Sequence, residues 1–185
     1  MKIISSDNDT LSAYLKETKE KSSLIFSLAR RDIKIKYAQS FLGVAWVLLQ
    51  PITGALIFTF FFTQMFSFGD GIEIPYHLFS FSGYLCWLLF SQLVNLAGTS
   101  LMQEERLIKK VYFPRIIIPV SKLIVQLFDF FVGLMALVLL SCFYDLNVLY
   151  RFLFTLPAVL LIVFNSFAIV LWLSALTIRY RDLHH

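Results

Sequence analysis

The stretch 116–143, IIIPVSKLIVQLFDFFVGLMALVLLSCF, decides the fold. A helix needs about 20 mostly apolar residues to span the hydrocarbon core of a bilayer, and this run exceeds that length. It lacks the apolar/polar alternation that a barrel strand requires. Three more runs of the same kind flank it, at about 41–66, 78–101 and 152–178. Within the cores of all four, the one ionisable side chain is Asp129.

Composition agrees with this reading. The 185-residue chain is 58% hydrophobic and 17% aromatic, with 20 Phe and only 15% charged residues. Soluble domains average about 45–50% apolar and about 25% charged. A disordered chain, a nucleic-acid-binding arm and a disulfide scaffold are all excluded. The expected fold is all-α: a polytopic transmembrane helix bundle. Cys86 and Cys142 both lie in apolar runs, which argues against a structural disulfide or a Cys-rich metal site. The first 40 residues are polar, and the first apolar run is too long for a signal peptide and lacks a small-residue cleavage site, so no cleaved leader is expected.

The charges set the orientation. Of 16 Lys and Arg, eight lie in residues 1–40, five in 102–122 (Arg106, Lys109, Lys110, Arg115, Lys122) and two in the tail (Arg179, Arg181). Loops 67–77 and 144–151 hold only Arg151. By the positive-inside rule, this asymmetry predicts that the N-terminus, the middle connection and the C-terminus face the cytoplasm. The predicted organisation is a cytoplasmic region 1–40, a transmembrane region 41–178 with four spans, and the start of a further cytoplasmic loop at 179–185.

Residues 11–38 have helical character without a spanning run. On a helical wheel Arg30, Arg31 and Lys34 share an arc with Ser27, and Leu24, Ile25, Leu28, Ala29, Ile33 and Ile35 occupy the rest. Asp32 and Lys36 interrupt the apolar side and stand at i,i+4 spacing, where they are predicted to pair. The segment reads as an amphipathic helix in the headgroup layer, its basic arc toward anionic lipid, or as a solvated basic leader.

The middle connection 103–113, QEERLIKKVYF, is also amphipathic, with Glu104, Ile108 and Tyr112 on one face and Leu107 and Val111 on another. Pro114 is predicted to stop this helix, because proline lacks the N–H and clashes one turn back. It is either a hairpin connector or a lever that presses on a cytoplasmic protein through Gln103, Glu104, Glu105, Arg106, Leu107, Lys109, Lys110, Val111 and Tyr112.

No chemistry-bearing motif is present: no GxxxxGK[ST] phosphate loop, HExxH, GxSxG or CxxC. No catalytic residue and no metal site are assigned. His77, at the outer end of the second span, reads as an interfacial residue, and the His184–His185 pair is too little for a metal site. Asp129 must face the bundle interior and find a partner, since an intramembrane charge costs several kcal/mol otherwise. It shares a helix face with Gln126 and Gly133, and Gln92, Asn95 and Asn165 are the candidate partners. Asp129 is either polar glue between helices or part of a transport path. The aromatics at 58–62 and 79–90 are lipid-facing bulk, an interfacial belt, or a stacking path for sugars.

Three of these segments carry a family resemblance. LARRDIKIKYAQSFLGVAWVLLQP (28–51) resembles the approach to the first span of ABC-transporter permeases that export polysaccharides: O-antigen of lipopolysaccharide, capsule and teichoic acid. LIKKVYFPRIIIPVSKL (107–123) resembles their coupling-helix region, and RYRD (179–182) the stretch after their fourth span. The resemblance implies a homodimeric subunit of the bacterial inner membrane, with two cytoplasmic ATPase subunits that bind ATP and Mg. The exported substrate would be a lipid-linked polysaccharide or polyol-phosphate polymer. No cofactor is implied in this chain, and no nucleic-acid partner. The interfacial helix maps to about 24–37 and the coupling helix to 103–113. Family members continue with further spans after the RYRD stretch, so the resemblance also implies that this sequence stops short of the family's length. Other readings are an ABC permease for a drug or small lipid and a non-transporting membrane scaffold.

Overall fold

The computed structural model describes residues 11–38, 43, 45–66, 74–144 and 148–179, and no strand occurs among them. Seven helices follow in order: α1 Leu11–Glu20, α2 Ser22–Ala38, α3 Ala45–Phe66, α4 Tyr76–Gln103, α5 Glu105–Lys110, α6 Ile117–Cys142 and α7 Val148–Arg179. Among the described residues, four segments are long and apolar enough to cross a membrane: Ala45–Gln64, Tyr76–Asn95, Ile117–Cys142 and Thr155–Leu173. The all-α polytopic bundle expected from the apolar runs is the one observed. The RYRD residues 180–182, both terminal histidines, and most of the two loops poor in Lys and Arg lie outside the described residues.

The bundle is organised around α4, which packs against α3, α6 and α7. Phe81, Leu85, Leu89 and Leu93 recur every fourth residue, so they form one stripe along α4. That stripe meets Ala55 of α3 and Phe130 of α6. Between lipid-embedded helices there is no hydrophobic driving force, because lipid tails are as apolar as leucine; close packing and small residues hold the helices together instead. Two glycines serve that purpose. A methyl group at Gly54 of α3 would collide with the Tyr84 ring of α4, and one at Gly133 of α6 would come within 2.5 Å of Leu85 Cδ2.

The outer surface is apolar. Phe58, Phe60, Phe61, Trp87, Phe131, Phe164 and Trp172 are all exposed. An apolar surface this continuous matches lipid as the solvent, not water. The chain is a multi-pass membrane protein.

Prolines punctuate the helices without ending them. Pro51 lies in α3 and leaves the Val47 carbonyl without its helical donor. Close by, the Thr53 hydroxyl donates to the Leu49 and Gln50 carbonyls at 2.8 and 3.0 Å. Pro119 sits in the first turn of α6, where its missing N–H has no helical acceptor to lose. Gly43, just before α3, takes a left-handed φ of 51° that only glycine adopts readily.

A second cluster lies at the end of the bundle that carries α2 and α5. Ile25 and Leu28 of α2 pack on Phe113, Ile117 and Ile118, and Leu107 and Ile108 close around them. Part of the apolar surface of α2 therefore packs on α6 and the α5 connection, while Phe26 and Ile35 stay exposed. The exposed charges of α2 are Arg30, Arg31, Lys34 and Lys36, of which Arg30 and Lys34 make no ion pair among the described residues.

Candidate functional site

The connection between α4 and α6 forms an elbow. The Glu104 N–H still donates to the Ser100 carbonyl at 3.2 Å, which carries α4 to its last turn. The Glu104 carbonyl then accepts from Leu107 and Ile108, both at 3.0 Å, and α5 begins. The helix is shorter than the predicted 103–113. Gln103 closes α4, and Val111 is already extended, with φ −133° and ψ 132°. Phe113 precedes Pro114, and a residue before proline is pushed out of the helical region. The break therefore falls after Lys110, ahead of the proline.

The elbow has two faces. Inward, Leu107 joins the cluster with Phe113 and Ile117, so it is a packing residue and not a free contact. Outward, Gln103, Glu105, Arg106, Lys109 and Lys110 are exposed, Val111 is 52% exposed and Tyr112 is 70% exposed. Lys109 pairs with Glu105 one turn back at 2.6 Å. Lys21, between α1 and α2, donates to the Tyr112 carbonyl at 3.1 Å and places its ammonium 5.1 Å from the ring centroid.

Beneath that face four charges interlock. Arg31 of α2 bonds both carboxylate oxygens of Glu104, and its Nη2 lies 2.8 Å from Asp32 Oδ1. Lys122 of α6 reaches Asp32 Oδ2 at 2.7 Å and lies 3.8 Å from Glu104 Oε1. The Lys122, Asp32 and Glu104 side chains are only 11–13% exposed. Three largely buried charges and the partly exposed Arg31 thus satisfy one another, as buried charges must. The bond to Glu104 is the largest influence raising the Arg31 pKa, so the guanidinium stays charged.

One turn further along α2 comes a second charge contact. Lys36 pairs with Asp129 Oδ2, and the Tyr37 hydroxyl donates to Asp129 Oδ1. Burial, followed by that hydrogen bond, pushes the Tyr37 phenol well above its usual range, so it remains the donor. Two expectations are corrected here. Asp32 and Lys36 do not pair with each other along α2; each turns to α6, to Lys122 and Asp129 respectively. Among the described residues, the partners that Asp129 takes are Lys36 and Tyr37 of α2 rather than the expected amides of the spans. Asn165 is exposed and donates to the Leu161 carbonyl of its own helix at 2.9 Å. Gln92, Asn95 and Gln126 line clefts beside Lys36. Arg31, expected on the lipid-facing arc, stays exposed but bonds Glu104.

The residues missed as site members, Asp32, Lys36, Tyr37 and Lys122, left one signal in the sequence. Three of them are charges placed on otherwise apolar faces, and such charges need partners from another element. Elsewhere, the rings of His77 and Tyr144 meet at a tilt, with 5.2 Å between centroids. Cys86 and Cys142 are both free. No group of three potential metal ligands occurs among the described residues.

No family model matches the chain. Over 172 residues it is 28% identical to the O-antigen export system permease protein RfbA of Myxococcus xanthus, covering 92% of this chain and 65% of that protein. Two proteins of the same name from Klebsiella pneumoniae are 25% and 26% identical over 163 residues, covering 86% of the chain and 61% of each relative. The chain therefore spans 61–65% of the length of these curated relatives. Over most of its own length, this multi-pass membrane protein resembles permease proteins of O-antigen export systems.

Proposed function

We propose that the chain is the transmembrane subunit of an ATP-driven exporter that moves a lipid-linked polysaccharide or polyol-phosphate polymer across the bacterial inner membrane. A separate pair of cytoplasmic ATPase subunits binds ATP and Mg, and two copies of this chain form the membrane part. The elbow carries the reading. A docking lever must present a contact surface and be rigidly tied to the helices it moves, and α5 does both. Its outer face offers Arg106, Lys109, Lys110 and Tyr112, an aromatic and basic set suited to an acidic-rimmed pocket. Its N-terminal end is tied to α2 by the Arg31–Glu104 pair, and α2 is tied to α6 by the Lys122–Asp32 pair. A push on α5 is thereby shared between the amphipathic helix and the third span.

The exporter reading places α1, α2 and α5 in the cytoplasm, as the Lys/Arg asymmetry predicts. It assigns Arg30 and Lys34 to anionic lipid headgroups, while the inner face of α2 holds the bundle. The same elbow would serve a permease for a drug or small lipid; the similarity to O-antigen export permeases favours the glycan.

Affinity purification of the tagged chain from its native membrane tests the proposal. A protein with a GxxxxGK[ST] phosphate loop is expected to co-purify, and its recovery should drop about tenfold with Tyr112→Asp, a truncated hot-spot aromatic. Because Tyr112 is exposed, the variant should insert and fold normally. Absence of any such ATPase, or equal recovery with the variant, would leave the elbow a simple connector.

A further inference from the structure

Two clefts open side by side among α2, α3, α4 and α6. The smaller has a volume of about 190 Å³ and includes Lys36, Tyr37, Trp46, Gln92, Gln126 and Asp129 in its lining. The wider, about 440 Å³, shares Lys36, Gln92 and Gln126 and adds Asp32, Asn95 and Lys122. Its size falls within the roughly 300–1,000 Å³ of small-molecule sites.

The unusual member is Gln126. It is 2% exposed, and among the described residues neither its side-chain amide nor that of Gln92 has a hydrogen-bond partner. Both amides line the clefts, so their donors and acceptors are open to whatever occupies them. The formal charges lining the two clefts balance: Lys36 and Lys122 against Asp32 and Asp129. Lys36 is bound to Asp129 and Lys122 to Asp32. No surplus charge is left to select an anion or a cation. The remaining groups are amides, which donate and accept at once, and an indole. Trp46 is 54% exposed at the cleft, with Leu85 and Phe130 as further apolar wall.

We propose that the two adjoining clefts together form a binding site for a neutral sugar ring, with Trp46 from the smaller one and Gln92 and Gln126 common to both. Adjacent ring hydroxyls both donate and accept, which matches paired carboxamides. The apolar C–H face of the ring matches the exposed indole. The Lys36–Asp129 pair then holds the polar wall in place. The site lies about 18 Å along α6 from Ile117, twelve residues at 1.5 Å each. The proposal rests on the exporter reading for the source of the sugar, but its test involves no ATPase, so each can fail alone.

The test uses the purified chain carrying Trp87→Phe and Trp172→Phe, which leaves Trp46 as the single indole. The detergent is lauryldimethylamine oxide, because a maltoside head would itself compete. Methyl glycosides of glucose, galactose, mannose and rhamnose are titrated against Trp46 fluorescence. At least one should give a saturable change. Gln126→Leu should weaken it about tenfold or more. Gln92→Leu, at a less buried position, should do the same. Circular dichroism verifies that each variant is folded, and the Gln92 arm decides if the Gln126 variant is not. Inorganic phosphate and glycerol 3-phosphate should give no saturable change. Saturation by those phosphates would reassign the site to a lipid headgroup. No response to any glycoside, or an unaltered response in a folded Gln variant, would leave the clefts water-filled cavities and overturn the proposal.

Discussion

Removing the Lys122 charge should be among the most damaging single changes outside the apolar core. The Lys122→Met variant keeps the aliphatic stem but deletes the ammonium that sits 2.7 Å from Asp32 and 3.8 Å from Glu104. At an effective dielectric near 20, a unit-charge pair at 2.7 Å attracts by about 6 kcal/mol before desolvation is counted. Desolvation of both ions offsets most of that gain, so the intact pair contributes little net stability. Truncation is different, because it leaves the other charge buried and uncompensated. Arg31 alone would then face two carboxylates that are each 13% exposed. Breaking a buried pair costs about 3–5 kcal/mol, and the residual Arg31 contact places Lys122→Met at the lower end, about 3 kcal/mol. Asp32→Asn should cost less, about 1–2 kcal/mol, because Glu104 still faces both cations. The double variant restores the charge balance, with Arg31 against Glu104, and should recover about 2 kcal/mol relative to the sum of the singles. Reversible unfolding in mixed micelles, followed by far-ultraviolet ellipticity, measures all three. A coupling within about 0.5 kcal/mol of zero would mean that the four charges act independently and that the elbow is not locked through them.

Three further outcomes follow from the packing. Asp129→Asn keeps an acceptor for Tyr37 and frees Lys36, whose side chain is 41% exposed and can reach water; it should cost about 1 kcal/mol, and Asp129→Leu about 2–3 kcal/mol. Thermal denaturation indistinguishable from wild type for the Leu variant would show that the contact contributes nothing. Gly54→Ala drives a methyl into the rigid Tyr84 ring and should cost about 1–3 kcal/mol, whereas at Gly133 the terminal methyl of Leu85 can turn aside; equal melting points for the two Ala variants would contradict this ranking. With Cys86 and Cys142 replaced by serine, an impermeant thiol reagent outside intact cells should label Tyr144→Cys and spare Lys110→Cys, and the opposite pattern would invert the proposed orientation.

The sequence by itself determined the spans and the asymmetry of charge. Four apolar runs are a local, covalent property, since a bilayer of fixed thickness demands about 20 apolar residues and the chain supplies them in order. It also required that Asp129 have a partner, because an unpaired intramembrane charge is too costly. What it could not determine was the partner. Helical periodicity relates residues three and four apart, so it offered Lys36 to Asp32. Tertiary packing instead laid α2 along α6, and desolvation there favours partners 90 and 93 positions away in the chain, Lys122 and Asp129. The same packing set Leu107 against Phe113 and Ile117, brought Arg31 to Glu104 and ended α5 at Lys110. It also left Gln92 and Gln126 facing a cleft rather than each other. Apolar length is written into consecutive residues, whereas the partner of a buried charge is fixed only when two distant helices exclude the water between them.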